Sequence, residues 1–166
     1  MKRICTFMLS ALALPLSLSA QTTTPPTGYK MVWSDEFNGT SLDTKVWNIE
    51  ENGNGGGNQE LQYYRKENVA VANGNLVLTA RRENYNNKQF TSGRINSRDK
   101  AYFKHGIIQA RIKFPKTANG IWPAYWMMGN DYGKLGWPRC GEIDIVETGN
   151  AEGIKNGTQT RHFGAT

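Results

Sequence analysis

The chain has 166 residues and a formal net charge of +6 at neutral pH. That length is enough for one domain with a real core, although all-β sandwiches and barrels often run to about 200–250 residues. Its Lys and Arg residues are scattered, with no basic patch or stripe, which argues against a nucleic-acid partner, and its two cysteines, Cys5 and Cys140, make no disulfide framework.

The first segment, residues 1–20, opens with Lys2 and Arg3 and continues as the apolar run "ICTFMLSALALPLSLSA". A basic start, a short apolar stretch and small residues before Gln21 predict a secretory signal peptide, with Ala20 the last residue removed. The run is short and broken by Pro15, which disfavours a membrane span. Secretion or periplasmic export is therefore expected, with no membrane association after cleavage. Loss of Lys2 and Arg3 takes the net charge from +6 to +4, and leaves Cys140 as a lone thiol, best read as a small apolar filler. "QTTTPPTGYK", 21–30, reads as a linker, and the folded part is expected to begin at 31 with "MVWSDEF".

From there no helical periodicity is sustained. Short β-type runs alternate with Gly, Asn and Pro, the pattern of an all-β sandwich or barrel. "NGNGGGN", 52–58, is a loop, because so much glycine cannot hold a regular element. It lacks the setting of a phosphate loop. "NVAVANGNLVLTARRE" predicts a hairpin turning at Asn73 and Gly74. "TSGRINSRD" and "AYFKHGIIQARIKFP" predict further strands. In the latter, Ile108, Ala110, Ile112 and Phe114 alternate with Gln109, Arg111 and Lys113, so one buried face and one wet face are expected. "GIWPAYWMMG" and "TQTRHFGA" are the remaining strand candidates besides the acidic segment described next. Roughly eight or nine strands with open edges suggest part of a larger sandwich.

The segment "GEIDIVETGN", 141–150, carries Glu142, Asp144 and Glu147 among β-branched residues. In a strand, residues two apart share a face, so Glu142 and Asp144 align and Glu147 falls out of phase. One extra residue, a β-bulge within Ile145–Val146, would bring Glu147 round to join them. Carboxyls so arranged suit retaining glycoside hydrolysis, in which one attacks and the other gives a proton, with the middle acid keeping the two roles apart. Acids on the wet face of an ordinary strand, with Glu147 in the loop beyond, are the alternative. The calcium-hand formula is absent. Trp122, Tyr125, Trp126 and Trp137 precede the acids closely and could stack on sugar rings. Trp126, before two Met, could equally be core, whereas Trp137 in "GWPRCG" is expected to be exposed.

"GEIDIVE" resembles the Glu-x-Asp-x-x-Glu signature of glycoside hydrolase family 16. "WPAYWMMG" and "GWPRCGEID" are similar to its laminarinase branch, the endo-β-1,3-glucanases, and "GNQELQYYRKENVAVANGNLVLTA" and "TSGRINSRDKAYFKHGIIQARIKFP" extend the likeness over residues 31–166. The resemblance implies a β-jelly-roll sandwich of two antiparallel sheets with a concave substrate cleft, incomplete in this chain, so that 31–166 is the N-terminal part of a catalytic domain. Residues 21–166 alone are then expected to be unstable or inactive. It implies Glu142 as nucleophile, Asp144 as its supporting acid and Glu147 as acid/base. Asn58, Glu60, Arg94, Trp122, Trp126, Trp137 and His162 would line the cleft. No cofactor is implied for catalysis. A structural calcium would use Glu36 and the Gly74 carbonyl. The implied substrate is laminarin-type β-glucan, cleaved internally by a monomer. A mixed-linkage glucan or a marine galactan, a non-catalytic β-glucan-binding protein, and a plain adhesion module remain alternatives.

Overall fold

The computed structural model describes residues 24–116, 120–149, Glu152, Lys155 and Asn156, and the backbone at 164–165. The leader read at 1–20 and His162 lie outside the described residues. No helix among the described residues is long and apolar enough to cross a membrane. Residues 24–30 form no regular element beyond one turn, closed by Tyr29 N–H donating to the Pro26 carbonyl. Contacts divide the chain into two compact units, one ending at Asn96 and one beginning at Ser97.

The first unit holds six short strands: β1 (Asn48–Ile49), β2 (Gln62–Tyr64), β3 (Val69–Ala72), β4 (Asn75–Leu78), β5 (Phe90–Ser92) and β6 (Ile95–Asn96). They pair as β1 with β6 and β3 with β4, both antiparallel, and β2 with β5 in parallel. The expected hairpin is β3–β4. Its register runs from Val69 opposite Leu78 to Ala72 opposite Asn75, and Asn73 and Gly74 take φ of 52° and 68°, the two-residue turn that matches strand twist.

"TSGRINSRD" supplies two strands, β5 and β6, rather than one. The break falls at Gly93, where a Cβ would stand 2.6 Å from the Asn68 carbonyl oxygen. The close backbone approach forces the chain to leave one partner and take another. Asn68 itself is buried and polar. Its side-chain amide donates to the Thr79 carbonyl (2.7 Å) and to Thr91 Oγ1 (3.0 Å), and its own carbonyl accepts from Thr79 N–H (2.9 Å). Thr91, also buried, donates onward to Glu83 Oε1 at 2.6 Å. Val71 is the one buried apolar side chain among the described residues, so this polar hub ties three segments together where the apolar core is thin. A second cluster closes the start of the unit: Trp47 donates its indole N–H to Asp35 Oδ2 (2.8 Å) and meets Trp33 edge-on and Phe37 in a stack.

The second unit contains β7 (Ala124–Met128), a four-residue helix α1 (Tyr132–Leu135), β8 (Glu142–Glu147) and β9 (Gly164–Ala165), with β8 central and antiparallel to both neighbours. The strand expected in "AYFKHGIIQARIKFP" is a correction: it forms no ladder, and Ile107, Ile108 and Ile112 are exposed, with only Phe114 of the expected face half-buried. Alternation specifies which face would be buried. A strand also needs a neighbour to take its backbone hydrogen bonds, and no ladder partner lies beside this stretch among the described residues.

Truncating the polar hub should be costly, because Asn68→Ala leaves the half-buried Thr79 carbonyl and the buried Thr91 hydroxyl without their donor. We expect a loss of about 1–3 kcal/mol, read as a lower urea midpoint at an unchanged slope.

Candidate active site

Five residues of β7 face six of β8. Met128 lies opposite Glu142, Met127 opposite Ile143, Trp126 opposite Asp144, Tyr125 opposite Val146 and Ala124 opposite Glu147. Ile145 has no opposite number, and the register shifts between Tyr125 and Trp126. Cross-strand partners share a face. Ala124, Trp126 and Met128 alternate along unbulged β7 and so share one, and their partners Glu147, Asp144 and Glu142 therefore share it too. Tyr125 and Met127, with Val146 and Ile143, take the other. Burial pushes the Tyr125 hydroxyl above its ordinary value.

Both ends of the ribbon are pinned. Gly129 N–H donates to the Gly141 carbonyl (3.0 Å) at one end, and Thr148 N–H to the Pro123 carbonyl (3.1 Å) at the other. A Cβ on Gly129 would overlap the Cys140 carbonyl, and one on Gly149 would overlap the Ile121 carbonyl. With the ends held, the extra residue cannot slip out and has to be taken up as a bulge.

The chain between the strands returns through stacked turns: Gly136 N–H to the Tyr132 carbonyl, Cys140 N–H to the Gly136 carbonyl and Gly141 N–H to the Pro138 carbonyl. They bring Trp137 back over the strand, where its indole Nε1–H donates to Glu142 Oε2 at 2.7 Å. The rest of the ring is open, with Trp137 59% exposed. Trp122, before β7, is also exposed, and Trp126 is half-buried beside Asp144. Asp144 Oδ1 is buried with no hydrogen-bond partner among the described residues. Cys140 is half-buried and its sulfur lies 3.3 Å from Met128 Sδ, against the residue opposite Glu142.

The first unit gathers Glu60 and Arg94 around Tyr64. The Tyr64 hydroxyl donates to Glu60 Oε2, Gln62 Nε2 donates to the same oxygen at 2.8 Å, and the Arg94 guanidinium stands 5.5 Å from the Tyr64 ring centre. Arg94 Nε is paired with Glu50 Oε1 at 3.1 Å, which also accepts from Asn96 Nδ2. The glycine loop folds onto this cluster, with Glu60 N–H and Asn58 N–H both donating to the Gly55 carbonyl. Asn58 is exposed. Tyr64, Gln62 and Glu50 were not singled out from the sequence. The period-2 spacing of Glu60, Gln62 and Tyr64 is the signal that marks them. Near the hairpin turn, the Asn38 side-chain oxygen lies 3.7 Å from where a Gly74 Cβ would be, so the loop carrying half-buried Glu36 approaches the turn. No cluster of three or more His, Cys, Asp or Glu that could hold a metal occurs among the described residues.

A family model described as "Beta-glucan synthesis-associated protein SKN1/KRE6/Sbg1" matches residues 9–142. The β-glucanase of Rhodothermus marinus is 40% identical over 153 residues, which cover 89% of this chain and 53% of that protein. Among solved structures, the laminarinase from a Flavobacterium species is 48% identical with a TM-score of 0.66, covering 72% of this chain and 53% of its own. The catalytic domain of an endo-1,3-β-glucanase (laminarinase) from Thermotoga petrophila is 46% identical with a TM-score of 0.68, covering 73% and 52%. The chain thus spans about half the length of these relatives.

Burial, followed by the hydrogen bond and charge of Glu60, pushes the Tyr64 hydroxyl above its ordinary 10.0, against the opposing effect of Arg94. Above about pH 10 the unfolded chain releases this proton while the folded chain keeps it, so stability falls as pH rises and goes on falling until the folded value is passed. Tyr64→Phe should flatten that alkaline slope in urea midpoints measured between about pH 9 and 11. An unchanged slope would contradict the assignment.

Proposed function

The chain belongs to glycoside hydrolase family 16, in its laminarinase-like branch with a jelly-roll β-sandwich fold, and from that premise we propose that the protein is a secreted, retaining endo-β-1,3-glucanase acting on laminarin-type glucans. The observation that carries the mechanism is the register shift at Ile145, which turns Glu142, Asp144 and Glu147 to one face. Retention needs two carboxyls about 5–5.5 Å apart with no water between them. Glu142 and Glu147 stand at opposite ends of β8, and the shared face is what lets their side chains lean toward one glycosidic bond.

Glu142 accepts the Trp137 indole N–H, which suits the acceptor-only carboxylate that a nucleophile must be. In the first step Glu142 bonds to the anomeric carbon, the glycosidic bond breaks, and Glu147 gives its proton to the departing oxygen. In the second, water attacks the same carbon, its proton passes to Glu147, and the ester bond to Glu142 breaks. Asp144, between them with a buried unpaired oxygen, is placed to take a hydrogen bond from one neighbour and keep the two roles distinct.

The exposed ring of Trp137 and that of Trp122 supply faces for sugar stacking. Glu60 and Arg94, held around Tyr64, supply hydrogen-bonding groups for sugar hydroxyls, and Asn58 on the glycine loop a further one. His162 belongs to the same assignment. Secretion rests on the basic start and apolar run of residues 1–20. Calcium at Glu36 and the Gly74 carbonyl would be a hard cation bound by oxygen, structural in role.

Release of reducing ends from laminarin, lichenan, agarose and carrageenan by the full-length protein tests the reading. Laminarin should be cleaved fastest. Glu142→Gln should lower turnover about a thousandfold or more while laminarin binding persists. Turnover that survives this substitution would sink the nucleophile assignment, and preferred cleavage of a galactan would move the substrate.

A further inference from the structure

The hydrogen bond from Trp137 Nε1 to Glu142 Oε2, 2.7 Å long, engages one carboxylate oxygen and leaves Oε1 for the anomeric carbon. The backbone on both sides of this bond is held: the turns through Gly136, Pro138 and Gly141 hold the loop that carries Trp137, and pairing with Met128 holds Glu142. We propose that Trp137 is a positioning residue whose indole N–H mainly serves the second half of the reaction, the release of Glu142 from its sugar ester. This rests on Glu142 being the nucleophile.

The physical basis is the movement of charge on Glu142. A hydrogen bond to an ionised acceptor is about twice as strong as one to a neutral acceptor. While free, Glu142 is a carboxylate and the indole N–H stabilises it. As the bond from Oε1 to the anomeric carbon forms and the glycosidic bond breaks, its charge is neutralised, so the N–H bond weakens. It stabilises the starting carboxylate more than the first transition state and gives no acceleration there. When water attacks, the Oε1–carbon bond breaks, the electron pair returns to Glu142 and negative charge builds again on the carboxylate. A donor already aimed at Oε2 stabilises that departing group without reorganising. Stacking of the same ring on a sugar is a separate contribution, which would appear in binding.

Two replacements isolate the N–H. Trp137→Phe keeps an aromatic ring. Replacing the Trp137 indole by benzothiophene, through the corresponding unnatural amino acid, keeps the ring shape and removes only the donor. With an activated aryl β-laminaribioside and the full-length protein, both should slow ester breakdown about tenfold. The ester then accumulates: kcat falls, KM falls with it, and a pre-steady-state burst of the aryl alcohol approaches one equivalent per enzyme. A raised KM with no burst, or unchanged kinetics in the benzothiophene protein, would overturn the inference. Glu142→Gly with added azide checks the premise independently. An α-glycosyl azide product supports Glu142 as nucleophile whatever the Trp137 variants do, and its absence removes the premise itself.

Discussion

Five residues of β7 are paired with six of β8, and both ends of the pairing are held by backbone hydrogen bonds and by glycines packed against carbonyls. Everything proposed for the site depends on that mismatch. A regular pairing of the same residues would have put Glu147 on the face away from Glu142 and Asp144. The pinned ends leave the chain no way to discharge the surplus residue by sliding, so it is expressed as a local kink at Ile145. The sheet therefore sets the phase of the acids through backbone geometry, and side-chain contacts such as Trp137 with Glu142 refine it.

The two units are stabilised by different means. In the second, a three-stranded ribbon with β8 at its centre carries the acids. In the first, two-stranded pairs are tied by buried and half-buried polar groups: Asn68 bridges Thr79 and Thr91, and Glu60 collects Tyr64 and Gln62. Such networks are costly when half satisfied and rigid when complete. The hydrogen bonds that Glu60 accepts from Tyr64 and Gln62 orient it, which suits a residue that would have to present a hydroxyl-binding group to a sugar, where a loosely held Glu would lose much of its orienting value.

Much of the fold was legible where the signal was local. The hairpin turn needed only Asn73 and Gly74 between two β-branched runs, and β7 and β8 announced themselves by composition. The bulge was legible for a different reason: three acids that chemistry wants on one face cannot share it at that spacing without an extra residue. Partnership was not legible. The alternation from Ile108 to Phe114 describes a face without saying what would cover it, and it forms no ladder here. Gly93 splits "TSGRINSRD" because of a backbone contact with Asn68, some twenty-five residues earlier in the chain, which no local pattern announces. The residues proposed to line a sugar cleft came from family likeness, while Tyr64 and Glu50, which contact Glu60 and Arg94, emerged only from the fold.

The mismatch itself can be removed in two ways with opposite consequences. Deleting Ile145 leaves five residues against five, with Glu142, Asp144 and Glu147 still in phase. Deleting Ile143 also leaves five against five, but moves Asp144 opposite Met127 and so to the other face, while Glu142 and Glu147 stay aligned. Laminarin turnover by the two full-length deletion proteins is the most direct test. Phase control by the bulge predicts that the Ile145 deletion keeps activity within about tenfold of the parent, and that the Ile143 deletion loses about a hundredfold or more. Equal losses in both, or a more active Ile143 deletion, would contradict it.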